Sequence, residues 1–540
     1  MIDARAVELV VVLFAVVLLL ATIGQRLAVP FPILLVLGGL VLALVPGLPP
    51  LRLHPDLVFF VFLPPILWAA AYFTSLRDFR ANLRPITLLA LGLVCATTAA
   101  VAVVARAVVP GLAWAGAVAL GAIVSPPDAV AAVAILRRLR LPHRLVVILE
   151  GESLVNDATA LVLYRAAVAA IVTGVFSLEQ VAGEFVAAAV GGTLIGLAVA
   201  GVAVLVLRST TDSLVEIAIT LLAPYIAWIL ADRAHTSAVL ACVAGGLLLR
   251  RYFSLVVAPA TRLQARAVWD LLLFALNGVI FILIGLQLRT LFQSMGTRMS
   301  VGTLAVQGLI VSAAAILTRI VWVPIAAAVP RLVPSIRRRD PLPSWRSLAV
   351  LSWTSMRGIV SLAAALALPL TTASGAPLPH REEIIVLTFV VILVTLVVQG
   401  LSLGPLIRWL RLPEDRTLEE ERLQAEEHAL RAALDRLATL QREPWAANEQ
   451  VEDLRRHYEE RAQLVAERRA GAPPASSLAE AAFKRARHET LAAERQVLLE
   501  LRDRGVISDD VLLVLERELD VEAARHGLAG YGGPDGAVHG

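Results

Sequence analysis

Long apolar blocks alternate with short, arginine-bearing connections from the first residues to about position 410, where the text changes to a charged pattern of helical period. About 20 apolar residues is the length at which a helix crosses the hydrocarbon of a bilayer. On that measure the pattern predicts spans at roughly 7–25, 31–46, 57–73, 85–107, 112–136, 145–173, 181–207, 214–231, 236–249, 267–291, 301–329, 347–371 and 384–409. That makes about thirteen, an odd count that puts the two chain ends on opposite sides. The first block, Val7 to Ile23, follows Asp3 and Arg5 and closes on no small-residue cleavage pattern, so it reads as a retained span rather than a signal peptide.

The connections holding Arg77, Arg80 and Arg84, then Arg137, Arg138, Arg140 and Arg144, then Arg250, Arg251, Arg262 and Arg266, then Arg337, Arg338 and Arg339 all fall on one side. The positive-inside rule makes that side cytoplasmic, with the N-terminus outside and the C-terminal tail inside, in a cell (inner) membrane. Composition agrees: of 540 residues, 58% are hydrophobic and 17% charged, far from a soluble globular chain. The net charge of +4 reflects loop arginines and calls for no nucleic-acid partner. Cys95 and Cys242 fall inside spans and suggest neither a disulfide framework nor a metal site. Beyond Pro413 the pattern predicts three or four amphipathic helices, broken at Pro444 and from Gly471 to Pro474. The expected organisation is a transmembrane domain over 1–412, a cytoplasmic helical tail over 413–526, and disorder over 527–540. The fold class is all-α and polytopic.

One span carries polar residues that hydropathy alone would not place there. From Leu149 to Tyr164 the chain reads LEGESLVNDATALVLY, with Glu150, Glu152, Asn156 and Asp157 inside or against an apolar run. A carboxylate near the bilayer centre costs about 2.5 to 3.5 kcal/mol even on the lenient insertion scale, so an ion or proton site is the leading reading. Glu152 and Asn156 share a helix face, as do Ser153 and Asp157. Ala160 and Tyr164 continue the stripe, which should face protein or a cavity while the Leu and Val residues face lipid. The plain alternative is a set of polar residues that only joins helices.

Two spans look broken. In GAIVSPPDAV, Gly121 to Val130, Pro126 and Pro127 remove two backbone donors, so the helix should stop near Val124 and Asp128 should open a second half-helix. A simple kink is the alternative. In SWTSMRGIVS, Ser352 to Ser361, Arg357 and Gly358 interrupt the corresponding span of the second half, and Arg357 requires a partner. Two interrupted spans in matching positions point to a transporter site between inverted repeats. Arg319 is a third intramembrane charge and needs a carboxylate; Glu152 is the choice, which would make Glu152 structural, with Glu152 as proton carrier the competing assignment. Asn277, Gln287, Gln399 and Glu216 read as helix–helix contacts. His54, His143, His235 and His380 sit in loops or at span ends without ligand spacing.

With Asn156-Asp157 at its centre, SPPD ahead and RG behind, the sequence resembles the sodium/proton exchanger family that includes bacterial NhaP proteins and animal plasma-membrane exchangers. The resemblance covers about 400 residues in motif order and spacing. It implies a thirteen-helix, NhaA-like fold of two inverted repeats, with core and dimerisation subdomains, two crossing broken helices and a homodimer. It also implies that Asp157 binds the cation or proton, with Asn156 and Ser153 beside it and Asp128 as the acid of the first broken helix. Glu152 and Arg319 would be a buried pair, and Arg357 the arginine of the second broken helix. Two departures bear on the ion. Many NhaP proteins read PPILFE in the third span, whereas Pro64 to Ala69 here ends in Ala69, so one candidate ligand is missing. Pro127 stands where Thr is common and offers only its carbonyl oxygen.

The chemistry expected is competition for one carboxylate. Asp157, Ser153, a backbone carbonyl and water could hold sodium, potassium or lithium, and a proton would neutralise the same charge. No resident cofactor is called for. Electroneutral one-for-one exchange follows, because Asn156 never ionises. An intramembrane aspartyl protease pairing Asp128 with Asp157 is the rival from another class; its usual Gly-rich Asp context is absent. A cation channel would need a ring of pore donors instead.

Overall fold

The computed structural model describes residues 4–27, 30–45, 54–128, 132, 133, 136, 141–174, 178–295, 300–412, 417–441, 443, 449–470 and 477–525. The chain divides into two compact units, Met1–Asp415 and Arg416–Gly540. The first unit contains α1 (Ala4–Leu27), α2 (Phe31–Ala43), α3 (Pro55–Phe73), α4 (Leu83–Val108), α5 (Trp114–Val124), α6 (His143–Thr173) and α7 (Leu178–Leu207). It continues with α8 (Ser213–Arg233), α9 (Ala238–Val256), α10 (Pro259–Met295), α11 (Val301–Ala328), α12 (Trp345–Trp353), α13 (Ile359–Leu366) and α14 (Arg381–Leu410). Among the described residues, nine helices are long and apolar enough to cross a membrane. Their outer faces expose Leu194, Val202, Leu309 and Val321, apolar surface that lipid would cover.

Sequence chemistry sets most of the ends. Asp212 caps α8 through the Leu214 N–H at 2.8 Å, and Ser237 caps α9 through the Leu240 N–H at 3.2 Å. Pro64 and Pro65 lie inside α3 immediately after a wide turn over Val58–Phe62, which takes up the loss of two backbone donors without ending the helix. α10 starts at Pro259 rather than near 267. Thr261, Arg262 and Arg266 extend the helix beyond its apolar part, and Arg262 fastens its start by donating to the Ser254 and Val257 carbonyls, each at 2.9 Å.

Small residues let several helices meet backbone to backbone. A Cβ added at Gly39 on α2 would lie 2.3 Å from the Ile282 carbonyl oxygen, and one at Gly285 on α10 would lie 2.3 Å from that of Val36. Gly192 and Gly196 on α7 meet the Ser237 and Ala241 carbonyls of α9 in the same way.

α6 runs through the middle, packed by α3, α4, α5, α7, α9, α12 and α13. The expectation that its Leu and Val residues face lipid is corrected for Leu149 and Leu154, which are buried along with Glu152, Asn156 and Asp157 under the packed helices, while Val155, Leu161, Val162 and Leu163 are half-buried.

The second unit is made of helices Thr417–Leu440, Glu449–Arg469, Ser477–Asp503 and Asp509–Arg525. Leu423, Leu430 and Val465 join the first pair, and Arg495 donates to Asp520 at 2.5 Å across the second. The expected breaks at Pro444 and from Gly471 to Pro474, and the expected disorder beyond 527, lie outside the described residues.

Candidate functional site

The first break falls at Val124, where α5 ends, and the second at Thr354 to Gly358, between α12 and α13. The two interruptions touch. The Asp128 N–H donates to the Met356 carbonyl at 2.7 Å, so unpaired backbone from one break satisfies unpaired backbone from the other. Arg357, 1% exposed, donates from Nε to the Val124 carbonyl at 2.8 Å and from its guanidinium to the Ser355 carbonyl and Oγ. Its own N–H donates to Thr395 Oγ1 of α14 at 3.1 Å. The partners of its guanidinium are thus oxygens left over at the breaks. A lysine could not span them, having one nitrogen where the guanidinium presents a planar fork.

Asp128 lies against Gly358: an added Cβ there would sit 1.8 Å from Asp128 Oδ2. Gly358 precedes α13 without a capping side chain, so this carboxylate stands at the positive end of that half-helix. The second half-helix expected after Asp128 falls largely outside the described residues.

On α6, Asn156 is fully buried and donates from Nδ2 to the Pro127 carbonyl at 3.0 Å, joining the span to the first break. Its Oδ1 has no hydrogen-bond partner. Asp157, one residue on, is 7% exposed and lines a cavity of about 330 Å³ together with Glu150, Ser153 and Asp128. The facing wall, from α3 and α10, is apolar except for Asn277. Asn277, expected to be a helix–helix contact, instead borders this cavity.

Five residues before Asp157, Glu152 turns away toward α11. Arg319 donates to Glu152 Oε1 and, at 2.8 Å, to Oε2, while its Nε donates to the Leu351 carbonyl at 3.0 Å. The remaining polar residues of the spans differ among themselves. Gln287 is buried; Gln399 is fully buried with neither amide atom bonded, and Glu216 Oε2 likewise lacks a partner. His143 meets Asp78 at 3.1 Å and His380 meets Glu383 at 2.5 Å, both outside the cavity. No group of three or more metal-ligating His, Cys, Asp or Glu occurs among the described residues.

Ala69 lines a second cavity, of about 200 Å³, bordered by Trp68, Trp269, Arg250, Arg262 and Arg266. Phe73 borders both cavities.

Sequence reasoning missed one cluster altogether. Asp340 accepts from Arg84, from Arg144 at 2.8 Å and from Arg331 at 2.7 Å, tying together the ends of α4, α6 and α11. Only its position in an arginine-rich connection could have suggested it.

The model of the sodium/hydrogen exchanger transmembrane family matches residues 12–409. The chain belongs to that family. It is 38% identical over 525 residues to an uncharacterised Na+/H+ exchanger of Mycobacterium tuberculosis, with 95% of each chain covered. It is 32% identical over 418 residues to the Na+/H+ antiporter ApNhaP of Aphanothece halophytica, covering 76% of this chain and 74% of that one. The sodium proton antiporter MjNhaP1 from Methanocaldococcus jannaschii superposes with a TM-score of 0.60 at 18% identity, over 76% of this chain and 99% of that one, a likeness of fold. In this exchanger-family protein, both broken spans and the whole Asp157 cavity fall within the matched residues.

Proposed function

We propose that the chain is a secondary antiporter exchanging a monovalent cation for protons at Asp157. The observation that carries this reading is the Asp157 carboxylate, set in a cavity where two broken helices cross and bordered by Ser153 and Asp128. An ionised acid in so dry a place is stabilised when a cation or a proton neutralises it, and both cannot do so at once. Asn156 and the Pro127 carbonyl hold the first break in register beside it. Glu152 is spoken for by Arg319, and of the acids bordering the cavity, Asp157, Asp128 and Glu150, the change of state is assigned here to Asp157, beside Ser153 on α6.

The fuller reading is thirteen spans in two inverted repeats of NhaA type, with core and dimerisation subdomains and a homodimer. The protein sits in the inner membrane, N-terminus outside and tail cytoplasmic, and works by alternating access with one-for-one, electroneutral stoichiometry. Sodium is the favoured cation. Potassium is the second reading, supported by Ala69, which removes an acidic candidate ligand. It is also supported by a relative from Bacillus pumilus, 33% identical over 388 residues, 69% of this chain and 57% of that one, named as a sodium, potassium, lithium and rubidium/H+ antiporter.

The test is dequenching of a pH-sensitive dye in everted vesicles, titrated separately with sodium, potassium and lithium. Cation-driven proton movement that disappears in Asp157→Asn, with the protein still in the membrane, is the expected result. Flux retained in that variant removes Asp157 from the site.

A further inference from the structure

Among the described residues, nine contain buried side-chain nitrogen or oxygen atoms without a hydrogen-bond partner, and Ser361 is the one of these that borders the Asp157 cavity. Ser361 is 1% exposed and belongs to α13, three positions past Gly358. Several hydroxyls within helices of this protein bond back to the preceding turn, such as Ser312 to Gly308 at 2.6 Å and Thr318 to Ala314 at 2.7 Å; those of Thr97, Thr98 and Thr388, like that of Ser361, do not, but none of the three borders the Asp157 cavity. For Ser361 the preceding turn is the break itself. Gly358, the residue before α13, is extended, with φ −133° and ψ −151°, so the Arg357 carbonyl four positions before Ser361 lies outside the helix. Leaving a buried hydroxyl unpaired is unfavourable, and a cation that takes its lone pairs would offset that cost.

The cavity already gathers hard oxygen donors of the type a small monovalent cation takes: the Asp157 carboxylate, Ser153 and Asp128. We infer that Ser361 is a further ligand of the transported cation, its Oγ reaching the ion from α13 while Asp157 and Ser153 reach it from α6. The inference rests on the antiporter reading and adds a residue that the sequence pattern did not single out. It ties the ion to the second broken helix as well as to α6, so Ser361 sets affinity and selectivity rather than proton exchange as such.

The experiment compares wild type, Ser361→Ala, Ser361→Thr, Ser361→Cys and Asp157→Asn in proteoliposomes. Ser361→Ala is expected to raise the apparent KM for sodium about tenfold, the loss of one ligand's worth of binding, with maximal rate little changed. Because cation and proton compete, its activity at fixed sodium shifts to higher pH by about one unit for that tenfold weakening. Ser361→Thr, which keeps the hydroxyl, restores both. Ser361→Cys keeps the volume but offers soft sulfur, so sodium weakens while thallium gains relative to it. Sodium-dependent thermal stabilisation of the purified proteins gives the same order without transport. An unchanged sodium KM in Ser361→Ala, or a fall in maximal rate alone, overturns the inference. Flux surviving in Asp157→Asn overturns the antiporter site instead, and the two failures are thereby told apart.

Discussion

Arg319 grips both carboxylate oxygens of Glu152, and each of the two side chains is only 1% exposed. A planar fork on a carboxylate is the geometry in which a buried pair offsets its desolvation, and the Leu351 carbonyl takes the remaining Nε–H. The pair joins α6 to α11 one turn from the cavity, so it fixes the helix that carries Asp157.

Removing one partner leaves the other charged and stranded. Glu152→Gln is expected to destabilise the protein by about 3 to 5 kcal/mol, read as a lower melting temperature of the purified protein. Combining Glu152→Gln with Arg319→Met should recover much of that loss, since an apolar replacement of a whole buried pair is close to neutral. A double variant no more stable than the single one would show that Arg319 acts mainly through Leu351.

Gly358 is there because nothing larger fits. In Gly358→Ala the new methyl would overlap Asp128 Oδ2, 1.8 Å from the ideal Cβ, so either the carboxylate or the start of α13 must shift. A displacement of about 1 Å at a reacting site can cost about a hundredfold in rate. Cation-driven proton flux should fall steeply while the amount of protein in the membrane holds. Near-normal flux would show that the crossing tolerates a different arrangement.

Arg357→Lys should loosen both interruptions together. One ammonium cannot serve Val124 and Ser355 at once, so hydrogen exchange should quicken at the Asp128 amide as well as at residues 355–358. Faster exchange at only one break would separate the two.

The Asp340 cluster has its own pH signature. Partial burial alone would raise its carboxyl, but hydrogen bonds and charge from Arg144 and Arg331 outweigh that and hold it below the usual carboxylate range. A depressed folded-state pKa contributes stability above the unfolded value of about 3.9, lost as pH falls through the lower folded value. Asp340→Asn should therefore be less stable than wild type by about 1 kcal/mol at neutral pH, a modest figure because Arg84 and Arg144 are partly screened by water. The two proteins should converge only on strong acidification.

Much of this was legible in the chain. Proline pairs and an Arg-Gly step announce themselves wherever they interrupt an apolar run, and the i,i+4 spacing from Glu152 to Asn156 reveals a polar stripe. What could not be read is who stands opposite. Leu149 and Leu154 have the hydropathy of lipid-facing residues, but neighbouring helices bury both. Arg357 looked short of a charged partner because backbone carbonyls leave no mark in a sequence. Asn277 and Ser361 have ordinary polarity, and only the crossing of α13 with α6, and the wall contributed by α10, sets them beside Asp157.

One guanidinium, that of Arg357, is stapled to both interrupted helices, and the Asp128 amide adds a second stitch. Displacing either interruption alone would break these bonds, so the proposed transport cycle would carry the two together. If the two slide, the slip plane must run where nothing is stitched. The smooth hydrocarbon flank presented by Leu63, Leu67, Leu273 and Ile280 is such a plane, and Asn277 is its one catch.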